Sequence, residues 1–288
     1  YNIYMIVGVV CKPELKNLNK INKLITEYFK DKNCKIIYDK NFKIKKNKFT
    51  SQINLIKSSN IVLAFGGDGT LLHIAKDAAK FQKPVIGFNV GNLGFLTEAP
   101  LSKFKTVMNK YFKDDLRSDK RNLLVANLES KEKKVKNKSF LNDLVINKGA
   151  LSKIIDLNVF VDGKPVSQIR ADGLILSTPT GSTAYSLSAG GPIVVPSLPL
   201  MIITPICPHT LSNRPLVISE KCEVSISVNS DNHVFASFDG ANNEKLNGKT
   251  TISVKKSSLT LNLLRMKNTE YFSVLKDKLM WSNLYEHK

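Results

Sequence analysis

The sequence has no cysteine pair at close spacing, no long apolar run and no Walker-type GxxxxGK[ST] phosphate loop. Each absence excludes a class of protein. The four cysteines stand alone at 11, 34, 207 and 222, and the four histidines are scattered. That excludes a disulfide framework and a structural zinc site, and fits reduced thiols in a cytoplasmic compartment. No apolar stretch reaches the length needed to span a bilayer, so no membrane partner is expected. The opening "YNIYMIVGVVCKPELK" has neither a basic leader nor a small-residue cleavage site, and reads as a first strand rather than a signal peptide. It also lacks an initiator methionine, which leaves room for residues upstream. The lysine runs "KIKKNK" (43–48) and "KEKKVKNK" (131–138) carry no interleaved aromatics, whereas single-strand binders usually set stacking rings beside their charge. The net charge of +19 is therefore read as solvated faces and loops, with no specific nucleic-acid partner.

What is present begins with a chain of 288 residues, 42% apolar, enough for one large domain or two ordinary ones. Up to about residue 100, strand-like and helix-like segments alternate, which implies a parallel sheet covered by helices. After about 120 come short alternating runs broken by turn signals, the pattern of an antiparallel β domain. The expected organisation is an α/β domain over 1–118, a mostly antiparallel β domain over 119–262, and a C-terminal segment over 263–288 that returns to the first domain. No internal repeat or long linker interrupts it.

The stretch "FGGDGT" (65–70) carries the first chemical signal. It follows the strand-like "NIVLAF" and precedes the amphipathic "LLHIAKDAAK", so its glycines lie on a strand-to-helix turn. Amides at a helix start favour an anion, and glycine lets a phosphate approach the backbone. An aspartate there repels phosphate. Asp68 must repay that, by holding a metal ion or by taking a proton from an attacking hydroxyl.

Three further stretches stand out. In "LNDLVINKG", Asn142 and Asp143 are adjacent, so on a strand they face opposite ways and reach one ligand only near a strand end or bulge. Taken alone, the pair equally suits a turn or an edge. In "RADGLILSTPTGSTAYSLSAGGP", a strand runs into a dense run of Ser, Thr, Gly and Ala. Hydroxyls and small residues of this kind admit a ligand close to the backbone, and a helix starting in "STAYSLSAG" would add amide donors. Arg170 and Asp172 frame this segment, either at a ligand or as a structural ion pair. The prolines of "ITPICPHTLSNRPLVI" fix an extended path, on which His209 reads as a structural residue.

Taken together, "GGDGT", the Asn-Asp pair, "DGLILSTPTGSTAYSLSAGGP" and "PICPHTLSNRPLVI" resemble the NAD kinase family in order and spacing. "GFNVGNLGFLT" and "LKDKLMWS" extend the resemblance from about residue 61 to the end. The glycine turn alone is shared with diacylglycerol, sphingosine and phosphofructokinase-like enzymes. The resemblance implies a kinase that uses ATP and a divalent ion, Mg2+ above all, to phosphorylate NAD, and that forms a homodimer or homotetramer. It implies that Asp68 acts on the 2′-hydroxyl of the adenosine ribose, with Gly69 and His73 in the same pocket and Phe95 along the adenine. Asn142 and Asp143 would hold the dinucleotide, and Lys153 would add a basic contact. Arg170 and Asp172 would frame the nicotinamide end, and Thr180, Thr183, Ala184, Tyr185 and Ser188 would contact NAD. No residue is assigned as a metal ligand. One departure is Ala241, where many members carry Gln. Two rival readings are a lipid kinase, which leaves the Ser/Thr/Gly segment unexplained, and a basic nucleotide- or RNA-binding module, which makes Asp68 and Asp143 liabilities.

Overall fold

The computed structural model describes residues 4–15, 17–42, 49–91, 94–131, 134–149, 153–210 and 212–281. The basic run 43–48 and Ser282 of the terminal motif lie outside them. The chain forms two compact units. One comprises the residues up to Lys120 together with those from Leu261 onward, and the other is Arg121–Thr260.

The first unit opens with β1 (Met5–Cys11), α1 (Leu18–Phe29), β2 (Cys34–Asp39), β3 (Phe49–Thr50) and α2 (Gln52–Ser58). It continues with β4 (Ile61–Gly66), α3 (Asp68–Lys80), β5 (Val85–Asn89), β6 (Ala99–Pro100) and α4 (Phe104–Phe112). β1 pairs in parallel with β2 and β4, β2 with β3, and β4 with β5. All six residues of β4 are buried, as expected of a central parallel strand covered on both faces. Helix α1 buries Ile21, Ile25 and Phe29, one residue per turn on a single stripe. It begins only at Leu18, and Glu14 before it has φ 58°, which a right-handed helix does not admit. Phe88 packs on Phe65 and Phe104 at centroid distances of 5.3 and 5.0 Å, fixing α4 to the sheet.

The chain enters the second unit along β7 (Leu116–Glu129). There follow β8 (Lys134–Phe140), β9 (Asp143–Lys148), β10 (Ile155–Val161), β11 (Lys164–Ala171) and β12 (Gly173–Ser177). After these come α5 (Tyr185–Ser188), β13 (Leu200–Ile206), β14 (Leu216–Ser219) and β15 (Val224–Phe238). The chain returns along β16 (Ala241–Met266) and ends its described part with α6 (Tyr271–Lys278). Pairing here is antiparallel: β12 with β9 and β13, β15 with β9 and β10, β13 with β14. The inward residues of these strands, among them Leu144, Ile146, Leu174, Leu176, Ile226 and Val228, form one buried core. In the first unit, Leu263 of β16 lies parallel to Val85 of β5. Among the described residues no helix is long and apolar enough to cross a membrane.

Candidate active site

Asp68 is the first residue of α3, separated from Gly66 at the end of β4 by Gly67, the N-cap of the helix. Its side chain does not cap its own helix. The carboxylate turns instead onto the loop after β5. Oδ2 accepts the Phe95 N–H at 2.8 Å, and Oδ1 accepts those of Leu96 and Thr97 at 3.0 and 3.3 Å. A carboxylate has about four lone-pair positions, so these bonds leave one for a ligand. The loop is shaped for this. A Cβ on Gly94 would collide with the Asp68 carboxylate, and the Gly94 N–H is bound by the Thr97 hydroxyl at 3.0 Å.

Beside this helix start is a cavity of about 380 Å³ lined by Val10, Lys12, Asn41, Gly67, Gly69 and His73, among others. It opens where β1 and β4 end, the place where open α/β sheets bind ligands. The amides at the start of α3 and the Lys12 ammonium give it a positive wall. A Cβ on Gly67 or Gly69 would meet nothing within 4 Å, so both present bare backbone to open space. His73 is exposed, and Phe95 is half-buried. Cys11 also lines the cavity, and burial pushes its thiol up to about 12 and the carboxyl of its neighbour Asp39 up to about 6. Among the described residues, no group of three His, Cys, Asp or Glu could hold a metal ion.

In the second unit, Asn142 lies at a bend and β9 begins at Asp143. The pair therefore falls at a strand end. A residue that the sequence reading passed over organises it. The Asp239 carboxylate accepts the N–H groups of Leu141, Asn142 and Asp143 at 2.9, 2.7 and 3.2 Å. Asp239 and Gly240 have φ 52° and 70° and link Phe238 to Ala241 as a two-residue hairpin turn. The signal was the "DG" flanked by strands. Asp143 is 4% exposed, and its carboxyl is pushed up to about 7, first by burial and then by the neighbouring Asp239.

The Ser/Thr/Gly segment locks the other side of the same backbone. Thr178 donates its hydroxyl to Leu141 O at 2.6 Å and its N–H to Asn142 O at 2.9 Å. A Cβ on Gly181 would collide with the Asn142 carbonyl. Thr180 is buried, with its hydroxyl bound by Arg121 at 3.3 Å. Thr183 and Ala184 are half-buried, and Tyr185 and Ser188 are exposed. The helix expected in "STAYSLSAG" is a single four-residue turn, α5. Arg170 and Asp172 are not paired with each other. Arg170 lies 3.7 Å from Asp156, and Asp172 is bound to Lys148 at 2.8 Å. Lys153 is exposed, and so is His209, whose N–H is bound to Arg170 O.

Residues 7–116 match the ATP-NAD kinase N-terminal domain, and residues 141–266 match the ATP-NAD kinase C-terminal domain. The NAD kinase of Thermoanaerobacter sp. (strain X514) is 41% identical over 227 residues, 78% of this chain and 80% of that protein. The NAD kinase of Geotalea daltonii is 42% identical over 226 residues, with the same coverage. The crystal structure of yeast NADH kinase complexed with NADH matches with a TM-score of 0.87 at 26% identity, covering 98% of this chain and 89% of that one. An NAD kinase from Archaeoglobus fulgidus in complex with ATP matches with a TM-score of 0.77 at 26% identity, covering 96% and 99%. An α/β unit with a carboxylate at a glycine-rich helix start, joined to a β unit with these relatives, defines a phosphotransferase. The chain belongs to the NAD kinase family.

Proposed function

We propose that the chain transfers the γ-phosphoryl group of ATP to the 2′-hydroxyl of the adenosine ribose of NAD, giving NADP and ADP. The observation that carries this reading is Asp68, fixed by three amides beside a positively walled cavity and left with one free lone-pair position. Family membership supports it independently. The 2′-oxygen forms the new bond to phosphorus as the bond to the β-phosphate bridging oxygen breaks. The hydroxyl proton passes to Asp68, the positioned general base. The Lys12 ammonium and the amides of the α3 start offset the charge on the donor's phosphates.

In the same reading Gly69 and His73 line the pocket in which Asp68 meets the ribose, and Phe95 lies along the adenine. Asn142 and Asp143 hold the dinucleotide by its base edge and hydroxyls. Arg170 and Asp172 frame the nicotinamide end, Lys153 adds a basic contact, and Thr180, Thr183, Ala184, Tyr185 and Ser188 contact NAD. Arg170, Asp172, Thr180 and Thr183 already have partners in the protein, which a bound dinucleotide would have to share or displace. A Mg2+ ion would arrive bound to the ATP phosphates, the usual way this ion reaches a phosphoryl-transfer site. When bound it neutralises phosphate charge.

An assay coupled to an NADP-specific dehydrogenase tests the reading. NADP should form only with ATP, NAD and a divalent ion, and chelation should abolish it. Folded protein that forms no NADP above an enzyme-free control refutes it. We also propose a homo-oligomer in a cytoplasmic setting. The four cysteines are free thiols, and the end strand β14 exposes Leu216 and Val217. Light scattering should give a multiple of the 32.1 kDa chain mass, and a monomer at micromolar concentration would contradict it.

A further inference from the structure

Arg265, near the end of β16, is 4% exposed, and the strand around it reads "LLRM", a lone charge in an apolar run. Its guanidinium donates from Nη2 to Phe95 O at 2.8 Å and from Nη1 to Thr97 O at 3.4 Å. Its Nε donates to Asp119 at 2.7 Å, and Nη1 lies 3.5 Å from the second carboxylate oxygen of Glu98. Glu98 is itself 6% exposed, and its other oxygen accepts the Met266 N–H and the Thr269 hydroxyl at 2.9 and 2.8 Å. Burying these charges is costly unless they are paired and fully hydrogen-bonded. The cluster therefore serves something more demanding than apolar packing.

What it serves is visible in one peptide group. The carbonyl of Phe95 and the N–H of Leu96 belong to the same peptide unit. The carbonyl accepts from Arg265 at 2.8 Å, and the N–H donates to Asp68 Oδ1 at 3.0 Å. A cation on one end of a peptide and a carboxylate on the other polarise it in the same sense, which strengthens both bonds. The second grip, on Thr97 O, holds the far end of the same loop. A planar fork with several donors can take both carbonyls and Asp119 at once, which a lysine ammonium on a flexible stem cannot do in this geometry.

We propose that Arg265 is a positioning residue for the reaction, holding the 95–97 amides at the angle and polarity that fix the Asp68 carboxylate. The role rests on the reading of Asp68 as the base. In this role Arg265 acts on Asp68 through the peptide and not on the substrate itself.

Full-length Arg265→Lys, Asp68→Asn and the double variant test it, each measured well below its own unfolding temperature. Arg265→Lys should lower kcat by about 10- to 100-fold, the scale of an ångström-level misplacement of a reacting group. KM for NAD and for ATP should change less than about threefold, because Phe95 is the one proposed binding residue on the gripped loop and the remaining contacts lie elsewhere. The Leu96 amide should exchange its hydrogen faster, by about tenfold or more, as its acceptor loosens. Combined with Asp68→Asn, the lysine variant should cause almost no further loss, since both act through one carboxylate. If the lysine variant folds poorly, Asp119→Asn loosens the Nε anchor and should give the same pattern at smaller amplitude. A folded Arg265→Lys enzyme with parental kcat, or losses that add in full in the double variant, overturns the proposal. The two levels fail separately. If Asp68→Asn keeps its turnover, the base itself is misassigned. If Asp68→Asn is slow while Arg265→Lys is not, only the role of Arg265 falls.

Discussion

Asp143 and Asp239 set two carboxyl groups close together in the second unit, and amide donors compensate only Asp239 among the described residues. Burial raises both, and the three N–H bonds pull Asp239 back down. Because Asp143 is raised from an ordinary 3.8 to about 7, the folded state binds a proton that the unfolded chain has released. Stability should therefore be greatest below about pH 4 for this group and fall as pH rises toward 7, by roughly 1.4 kcal/mol per pH unit at most. Asp143→Asn should flatten that slope and raise the melting temperature at pH 8 while leaving it nearly unchanged at pH 4. Thermal unfolding at the two pH values checks this, and equal shifts at both would contradict it. Asp68 could be singled out from its neighbours in the chain alone, since glycines, strand and helix flank it locally. Asp239 and Arg265 could not. Their partners lie 97 and 170 positions away in sequence, and nothing local distinguishes them from a turn aspartate and a strand arginine.

At the level of elements, β1, β4 and α3 were readable because each has an apolar run or a clear helical stripe beside turn signals. Helix α4 was not foreseen. Its buried Phe104, Val107 and Met108 make a stripe of only three residues within nine, too short to stand out. The run "KSFLNDLVINKG" reads as one strand and is two, β8 and β9, because Asp239 and Thr178 bend the chain at 141–142 by taking its amides and carbonyls. The same tight fit gives a prediction for the loop after β5. Gly94→Ala places a methyl group against the Asp68 carboxylate. Overpacking of this kind costs about 1–3 kcal/mol, and the displaced carboxylate should lose about 10- to 100-fold in kcat. Denaturant unfolding and steady-state kinetics on one preparation check both. An alanine variant with parental stability and turnover would show that the loop is slack.

For the whole molecule, neither the charge of +19 nor the two-unit composition specifies a reaction. Family membership assigns the class of reaction, and the proposal above places its chemistry on one carboxylate and the loops that hold it. The structure also changes what its replacement means. Asparagine keeps the outline of Asp68, but its NH2 group faces an amide donor where the carboxylate accepted a bond. A part of any stability loss, about 1–3 kcal/mol, will come from that conflict and not from chemistry. The decisive measurement is therefore kcat per folded molecule for Asp68→Asn, with the NAD dissociation constant determined alongside. The account predicts a fall in kcat of about two to four orders of magnitude, the usual worth of a positioned general base, with NAD affinity changed severalfold at most. Folded Asp68→Asn protein with near-parental turnover would contradict it.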